Sequence, residues 1–182
     1  MLNFKIYTVE SAPQQSKPAL ETLQQAFGFI PNIAGAMAGS PTLINSFISV
    51  FQNAHRGGFT EDQLQTLLLT NAVTNASSWP VAFHTFLALK EGLDPADVEA
   101  IRAGRPPRNT KHAALSNLAK SLIEARGHVS EQTLHAFLDA GFNNEQVLEV
   151  INVVAASAIT NYVASVTHPP LEESFQAHAW NQ

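Results

Sequence analysis

The chain has 182 residues, of which 45% are hydrophobic and only 14% charged, and its formal net charge at pH 7 is −5. That length fits one domain with a substantial core, and an acidic balance without any run of lysine or arginine disfavours nucleic acid and anionic membrane as partners. No cysteine is present, which excludes disulfides, thiolate metal sites and thiol nucleophiles together. So low a charge on a small chain predicts that part of the surface is covered between subunits, in a homo-oligomer.

The opening, MLNFKIYTVESAP, is too mixed and too briefly apolar for a signal peptide, so the expected location is cytoplasmic. Within it, NFKIYTV is the only stretch that alternates like a strand; everything after it reads as helix. SKPALETLQQAFGF predicts a helix capped by Ser16, with Pro18 in the first turn. SPTLINSFISVFQNAH repeats that device with Ser40 and Pro41, and places Leu43, Phe47, Val50 and Phe51 near one face.

A phrase then recurs three times, as GFTEDQLQTL at Gly58, GLDPADVEAI at Gly92 and GFNNEQVLEV at Gly141. In each, the glycine can end a helix in the left-handed conformation. The following Thr60, Asp94 or Asn143 is an N-cap, and Gln63, Asp97 or Gln146 holds the partner position of a capping box. These corners predict a compact array of antiparallel or angled helices. FTEDQLQTLLLTNAVTNASSWPVAFH can also be laid without a gap on FNNEQVLEVINVVAASAITNYVASVT, with Trp79 opposite Tyr162. The match reads either as a weak internal duplication or as two buried helices of similar pattern. RAGRPPRNT, residues 102 to 110, is a loop between two halves of one domain rather than a domain linker. The expected domain is therefore all-α over 1–182, with 59–101 and 128–182 as its two helical halves.

Between the first two corners lies NASSWPVAFH, residues 75 to 84. Ser77 or Ser78 can cap a helix whose first turn holds Trp79 and Pro80, where a missing amide donor costs little. Ser77, Pro80, His84, Leu87 and Glu91 then fall along one helical stripe.

GFTEDQLQTLLLTNAVTNASSWPVAFHTFLALKEGL resembles the core of the alkylhydroperoxidase D-like, or carboxymuconolactone decarboxylase, superfamily. The pattern there is an acidic residue, a Cys-x-x-Cys pair a dozen positions on, and a histidine four residues after the second cysteine. His84, Ala88, Leu89, Gly92 and Leu93 match the phrase that follows in that family. FGFIPNIAGAMAGSPTLINSF and LEESFQAHAW are similar to the ends of its peroxidase-related branch, so the resemblance runs from about residue 26 to the end. It implies an all-α fold, a trimeric or hexamer-like assembly, and a site at four positions: Gln65 for the acidic relay, Ser77 and Pro80 for the two cysteines, and His84 for the histidine. Of these only His84 keeps its identity. Proline has no nucleophile, glutamine cannot shuttle protons, and serine cannot form a sulfenic acid or disulfide, so the thiol peroxidase cycle is closed to these residues.

Two readings of His84 stand side by side: an acid or base in a small pocket walled by Trp79 and Phe83, or a histidine hydrogen-bonded within a helix interface. Ser77 with His84 as its base is conceivable across two turns, but capping explains Ser77 with fewer assumptions. Seven histidines without an i, i+4 pair or an HExxH predict no metal, and no cofactor is expected. INVVAASAITNYVASV reads as a central core helix, as a partly interfacial one, or as both. Two functions follow: non-redox acid–base chemistry on a small organic acid or lactone, or non-catalytic binding of a small ligand or assembly on the same fold. A hydroperoxide reductase would need an external thiol or cofactor to supply the electrons.

Overall fold

A computed structural model describes residues 4–181. Among them the helices are α1 (Lys17–Phe27), α2 (Asn32–Met37), α3 (Pro41–Arg56), α4 (Glu61–Thr74), α5 (Ser78–Lys90), α6 (Pro95–Arg102), α7 (Thr110–Glu124), α8 (Glu131–Asp139) and α9 (Asn144–Thr167). Two 3₁₀ turns, Gln14–Ser16 and Glu173–His178, flank the array. α4 is the hub, packing on α5, α6, α7 and α9, while α9 also lies against α3, α7, α2 and α5.

The alternating opening forms no strand over residues 4–8. The Tyr7 amide instead donates to the Gly35 carbonyl in α2, 3.1 Å away. A Cβ at Gly35 would meet the Ile6 side chain at 2.6 Å and the Tyr7 carbonyl at 2.8 Å, so this approach requires glycine. The strand-like alternation is not borne out: Ile6 and Tyr7 both lie against α2, a helix with no ladder to offer.

Most expected helix starts occur. Ser40 accepts from the Leu43 amide at 3.3 Å. At α9, Asn143 and Gln146 each accept from the other's backbone amide. Gln63 reaches back to the Thr60 amide at 3.2 Å. Three details differ. Ser16 stands before α1 but gives its hydroxyl to the Ala38 carbonyl, 2.8 Å away, so it fastens α1 to α2 and does not cap. Asp97 makes no capping box and accepts from the Arg108 and Asn109 amides, tying the 103–109 loop to α6. Gly92 and Gly141 have φ of +88° and +93°, as a left-handed helix end requires, but Gly58 does not. There the Glu149 carboxylate of α9 takes the Gly58 amide and fixes the corner by a tertiary bond.

The two stretches that align in sequence fold differently. The first breaks at Asn75–Ser77 and reverses from α4 into α5 through Ala76, a non-glycine residue at φ +53°. The second is one uninterrupted helix of 24 residues. Trp79 is buried, whereas Tyr162 is 63% exposed.

Apolar side chains fall into three clusters. One gathers α1, α2, α3 and α5 with the C-terminal 3₁₀ turn, whose Phe175 packs on Phe29, Trp79, Phe83 and Phe86. A second fills the space among α4, α7, α8 and α9, where Phe137 and Phe142 stack at 4.5 Å. The third joins α4, α5 and α6. α9 is long and apolar enough to cross a membrane by length and composition, yet it packs along five other helices.

Candidate active site

α5 carries the motif region, and seven consecutive residues from Trp79 to Thr85 are buried. Pro80 lies within the first turn, where the backbone amides have no intrahelical acceptor, so the helix loses no bond there. One side of α5 faces α1 and α3, and between them lies a cavity of about 70 Å³. Its walls are overwhelmingly apolar, with Leu23, Phe27, Phe47 and Phe51 opposite Trp79, Pro80 and Phe83. Trp79 and Phe83 stack at 5.2 Å, and Phe27 meets Phe83 edge-on at 5.4 Å. The Trp79 indole N–H donates out of the cavity, to the Glu172 carboxylate at 3.1 Å. That carboxylate also accepts from the Asn32 amide, so the C-terminal segment closes the back of the site.

His84 and Gln65 supply much of the cavity's polar character. Their side chains meet at 3.0 Å between Nδ1 and Oε1. An amide oxygen only accepts, so Nδ1 carries the proton and the neutral ring keeps a lone pair on Nε2. Nε2 has no hydrogen-bond partner among the described residues. Burial lowers the His84 pKa from 6.5 to about 3, and the nearby His55 adds in the same direction. The ring is therefore neutral across physiological pH.

The structure thus brings Gln65, Trp79, Pro80, Phe83 and His84 together, but not Ser77. The Ser77 hydroxyl donates to the Asn161 carbonyl of α9 at 3.2 Å. Ser77 occupies the N-cap position of α5 without capping it, and lines a separate polar recess with His168 and Ser165. The expected stripe from Ser77 through His84 is broken because Ser77 precedes the helix, and a Ser77–His84 nucleophile pair is absent. Leu87 joins the cavity, whereas Glu91 is an exposed helix end.

Three polar residues that sequence reasoning did not single out complete the lining: His55 from α3, and Ser157 and Thr160 from α9. His55 Nδ1 lies 3.1 Å from the Glu61 carboxylate, and its ring packs on Phe51 at 4.4 Å. In sequence it is a helix-terminal histidine before a glycine pair, and only the turn into α4 reveals its carboxylate. Behind Ser157, Asn161 donates to the Ser157 hydroxyl and the Asn71 carbonyl, while the Asn71 carboxamide finds no partner among the described residues. Among the described residues no group of three His, Asp or Glu side chains gathers as a metal-ligand set.

No family model and no curated protein matches the sequence. Solved structures do match. A crystal structure of an alkylhydroperoxidase AhpD core, an uncharacterized peroxidase-related protein from Ralstonia eutropha JMP134, superposes with a TM-score of 0.81, covering 96% of each chain at 17% identity. This chain has the alkylhydroperoxidase D-like fold. An uncharacterized peroxidase-related protein from Silicibacter sp. TM1040 matches with a TM-score of 0.80 at 17% identity, over 97% of this chain and 94% of that one. The debrominase Bmp8, in a cysteine-to-alanine variant complexed with 2,3,4-tribromopyrrole, matches with a TM-score of 0.80 at 15% identity, over 98% and 96%. The alkylhydroperoxidase D-like architecture is thus present here over nearly the whole chain, on residues that include no cysteine.

Proposed function

We propose that this protein binds a small, largely apolar organic molecule in the cavity beside His84, without thiol redox chemistry. The observation that carries the reading is the neutral His84 ring: Gln65 fixes its tautomer and leaves Nε2 as an acceptor in an aromatic-walled space. A ligand with one N–H or O–H donor satisfies that nitrogen, while one without a donor leaves it desolvated and unpaired. The space is smaller than the roughly 150 Å³ apolar cavity that admits benzene, so a five-membered ring marks the upper end of a ligand that enters without widening it. Bmp8, bound to a brominated pyrrole, supports a small N–H heterocycle as the kind of molecule this architecture accommodates. The family's peroxide chemistry is not proposed for this chain, because no side chain among the 182 residues can act as its thiol.

His84 itself is poorly matched to acid–base work. A group with a pKa of about 3 offers no proton near neutrality and holds one weakly. Binding is therefore His84's role, and any proton transfer falls to another residue. The test compares pyrrole with furan, which share size and shape but differ in the N–H donor. Binding is read from the Trp79 indole resonances, which the His84→Leu variant keeps. Pyrrole is expected to bind about 3- to 10-fold tighter, as one net hydrogen bond implies, and His84→Leu should erase the difference. Equal affinity for both rings would remove Nε2 from recognition, and no binding by either would sink the reading.

We infer as well that the chain assembles with copies of itself through the outer face of α9. Leu148, Ile151, Tyr162 and Val166 are 46 to 66% exposed there, and they follow helical spacing along one stripe. No charged residue occurs from Val150 to Thr167, so the face suits another uncharged face and repels neither copy. Beside its C-terminal half runs a groove lined by Phe4, Tyr7, Leu43 and Val163, which extends the apolar surface. Light scattering should show an oligomer that Tyr162→Lys converts to monomer; a monomeric parent protein removes the inference.

A further inference from the structure

We propose that His55, braced by Glu61, is the proton-transfer residue of this cavity, and that its substrates are small carbonyl compounds with an acidic α-C–H. The inference rests on the binding role assigned above to His84. It adds a second histidine of opposite character at the rim of the same space.

The two rings share the cavity and differ in everything that sets their chemistry. His84 is buried against a neutral carboxamide. The His55 side chain is 28% exposed and is held 3.1 Å from a carboxylate that is itself half-exposed. Glu61 accepts the Nδ1 proton and leaves Nε2 as the basic nitrogen, without a hydrogen-bond partner among the described residues. When Nε2 takes a proton, the imidazolium stays paired with Glu61, the arrangement in which a carboxylate orients a catalytic histidine and stabilises its charged form. The His55 ring meets solvent at the rim, whereas the His84 ring is buried.

Complementary groups sit within the same lining. Gln65 spends its Oε1 on His84 and retains its amide N–H groups, which suit a carbonyl oxygen that gains charge. His84 Nε2 accepts a hydroxyl adjacent to that carbonyl. The step is then balanced by the substrate and His55 alone. The α-C–H bond breaks and its proton bonds to His55 Nε2. The electron pair forms the C=C bond of the enolate, whose negative charge rests on the former carbonyl oxygen. Return of a proton from His55 to carbon regenerates the carbonyl compound. No oxidant or reductant is needed, which suits a cavity without a thiol.

The probe is one enantiomer of acetoin, one heavy atom larger than pyrrole and so extending to the solvent-exposed rim at His55; its methyl groups suit the aromatic walls, and its carbinol C–H lies beside a carbonyl. In deuterium oxide, proton NMR follows exchange at that carbon, and circular dichroism follows racemisation. Binding is read separately from the His84 resonances. The protein is expected to accelerate both processes above the buffer rate. His55→Gln should lower the protein-dependent rate by about 100-fold or more, the usual contribution of a positioned base, while acetoin still shifts His84. Glu61 acts through His55, so Glu61→Gln should lower the saturating rate without moving the half-saturating concentration, and Glu61→Asp should recover part of it. His84→Leu should chiefly raise the half-saturating concentration. Binding without exchange, or exchange indifferent to His55→Gln, overturns the inference and leaves the binding reading intact. Acetoin that fails to perturb His84 overturns the inference, while the pyrrole and furan comparison still decides the binding reading.

Discussion

Two histidines are held by the same stretch of α4, and they show how one helix builds two kinds of site. Gln65 holds His84 from α5, and Asp62, one turn earlier, holds His112 from α7 at 3.1 Å. The His84 pair faces an aromatic cavity and carries no charge. The His112 pair lies where α4 meets α7, and its Asp62 is partly exposed. Burial pushes the Asp62 carboxyl up, but the Thr60 hydroxyl and His112 outweigh it, so its pKa is lowered. The difference teaches that the start of α4 fastens a neighbouring helix on one side and lines a cavity on the other. A partly exposed carboxylate against a buried histidine fastens two helices, while a carboxamide in dry surroundings fixes a tautomer.

The sharpest way to expose the contrast is acid. In the folded state His84 resists protonation down to about pH 3, while in the unfolded chain it protonates near 6.5. As pH falls between those values, the unfolded state gains a proton that the folded state refuses, so stability must fall with pH. The slope from this one group is about 1.4 kcal/mol per pH unit, and the full loss is on the order of 4–5 kcal/mol. His84→Leu removes the titrating group. Denaturant unfolding at a series of pH values should therefore show the variant gaining on the parent protein steadily from about pH 6.5 downwards. A constant difference across that window would mean that water reaches the ring and that the cavity is not dry.

Much of this contrast was legible in the sequence, and the part that was not has a physical reason. The helix starts at Ser40, Thr60, Asp94 and Asn143 could be read because capping is local chemistry within four residues. The all-α class followed from helical spacing, the resemblance carried His84, Gln65 and Pro80 to one place, and Trp79 and Phe83 joined them as neighbours of His84 in the chain. Ser77 was assigned to the wrong side because a helical stripe assumes that the helix has begun. The backbone at Ser77 is still extended, so its hydroxyl points to Asn161. Ser16 and Asp97 likewise left their expected caps for partners 22 and 11 residues away, Ser16 at Ala38 and Asp97 at Arg108. His55 gives no signal in the sequence because its meaning lies in Glu61, six residues on and across a turn. None of those long-range exchanges leaves a periodic trace. The straight course of α9 over a stretch that aligns with the broken α4–α5 pair makes the same point, since similar apolar patterns served a reversal in one place and an unbroken helix in the other.

The smallest effect belongs to the other histidine. Asp62→Asn keeps the shape of the side chain and removes its charge, so the α4–α7 contact should weaken by less than about 1 kcal/mol at neutral pH, the range found for partly exposed charged contacts. The sign of its pH dependence separates it from His84. A carboxyl whose folded pKa is lowered contributes stability that is fully present above its ordinary value of 3.8, and that contribution fades as pH falls through the folded value. The parent protein and Asp62→Asn should therefore differ by a constant small amount from pH 7 down to the carboxylate range, and converge only below it. The His84→Leu comparison moves throughout that same interval and the Asp62→Asn comparison stays flat. If instead the Asp62→Asn difference changed between pH 6.5 and 4, the titration of the Asp62 carboxyl would not account for the contact, and the contrast along α4 would fail.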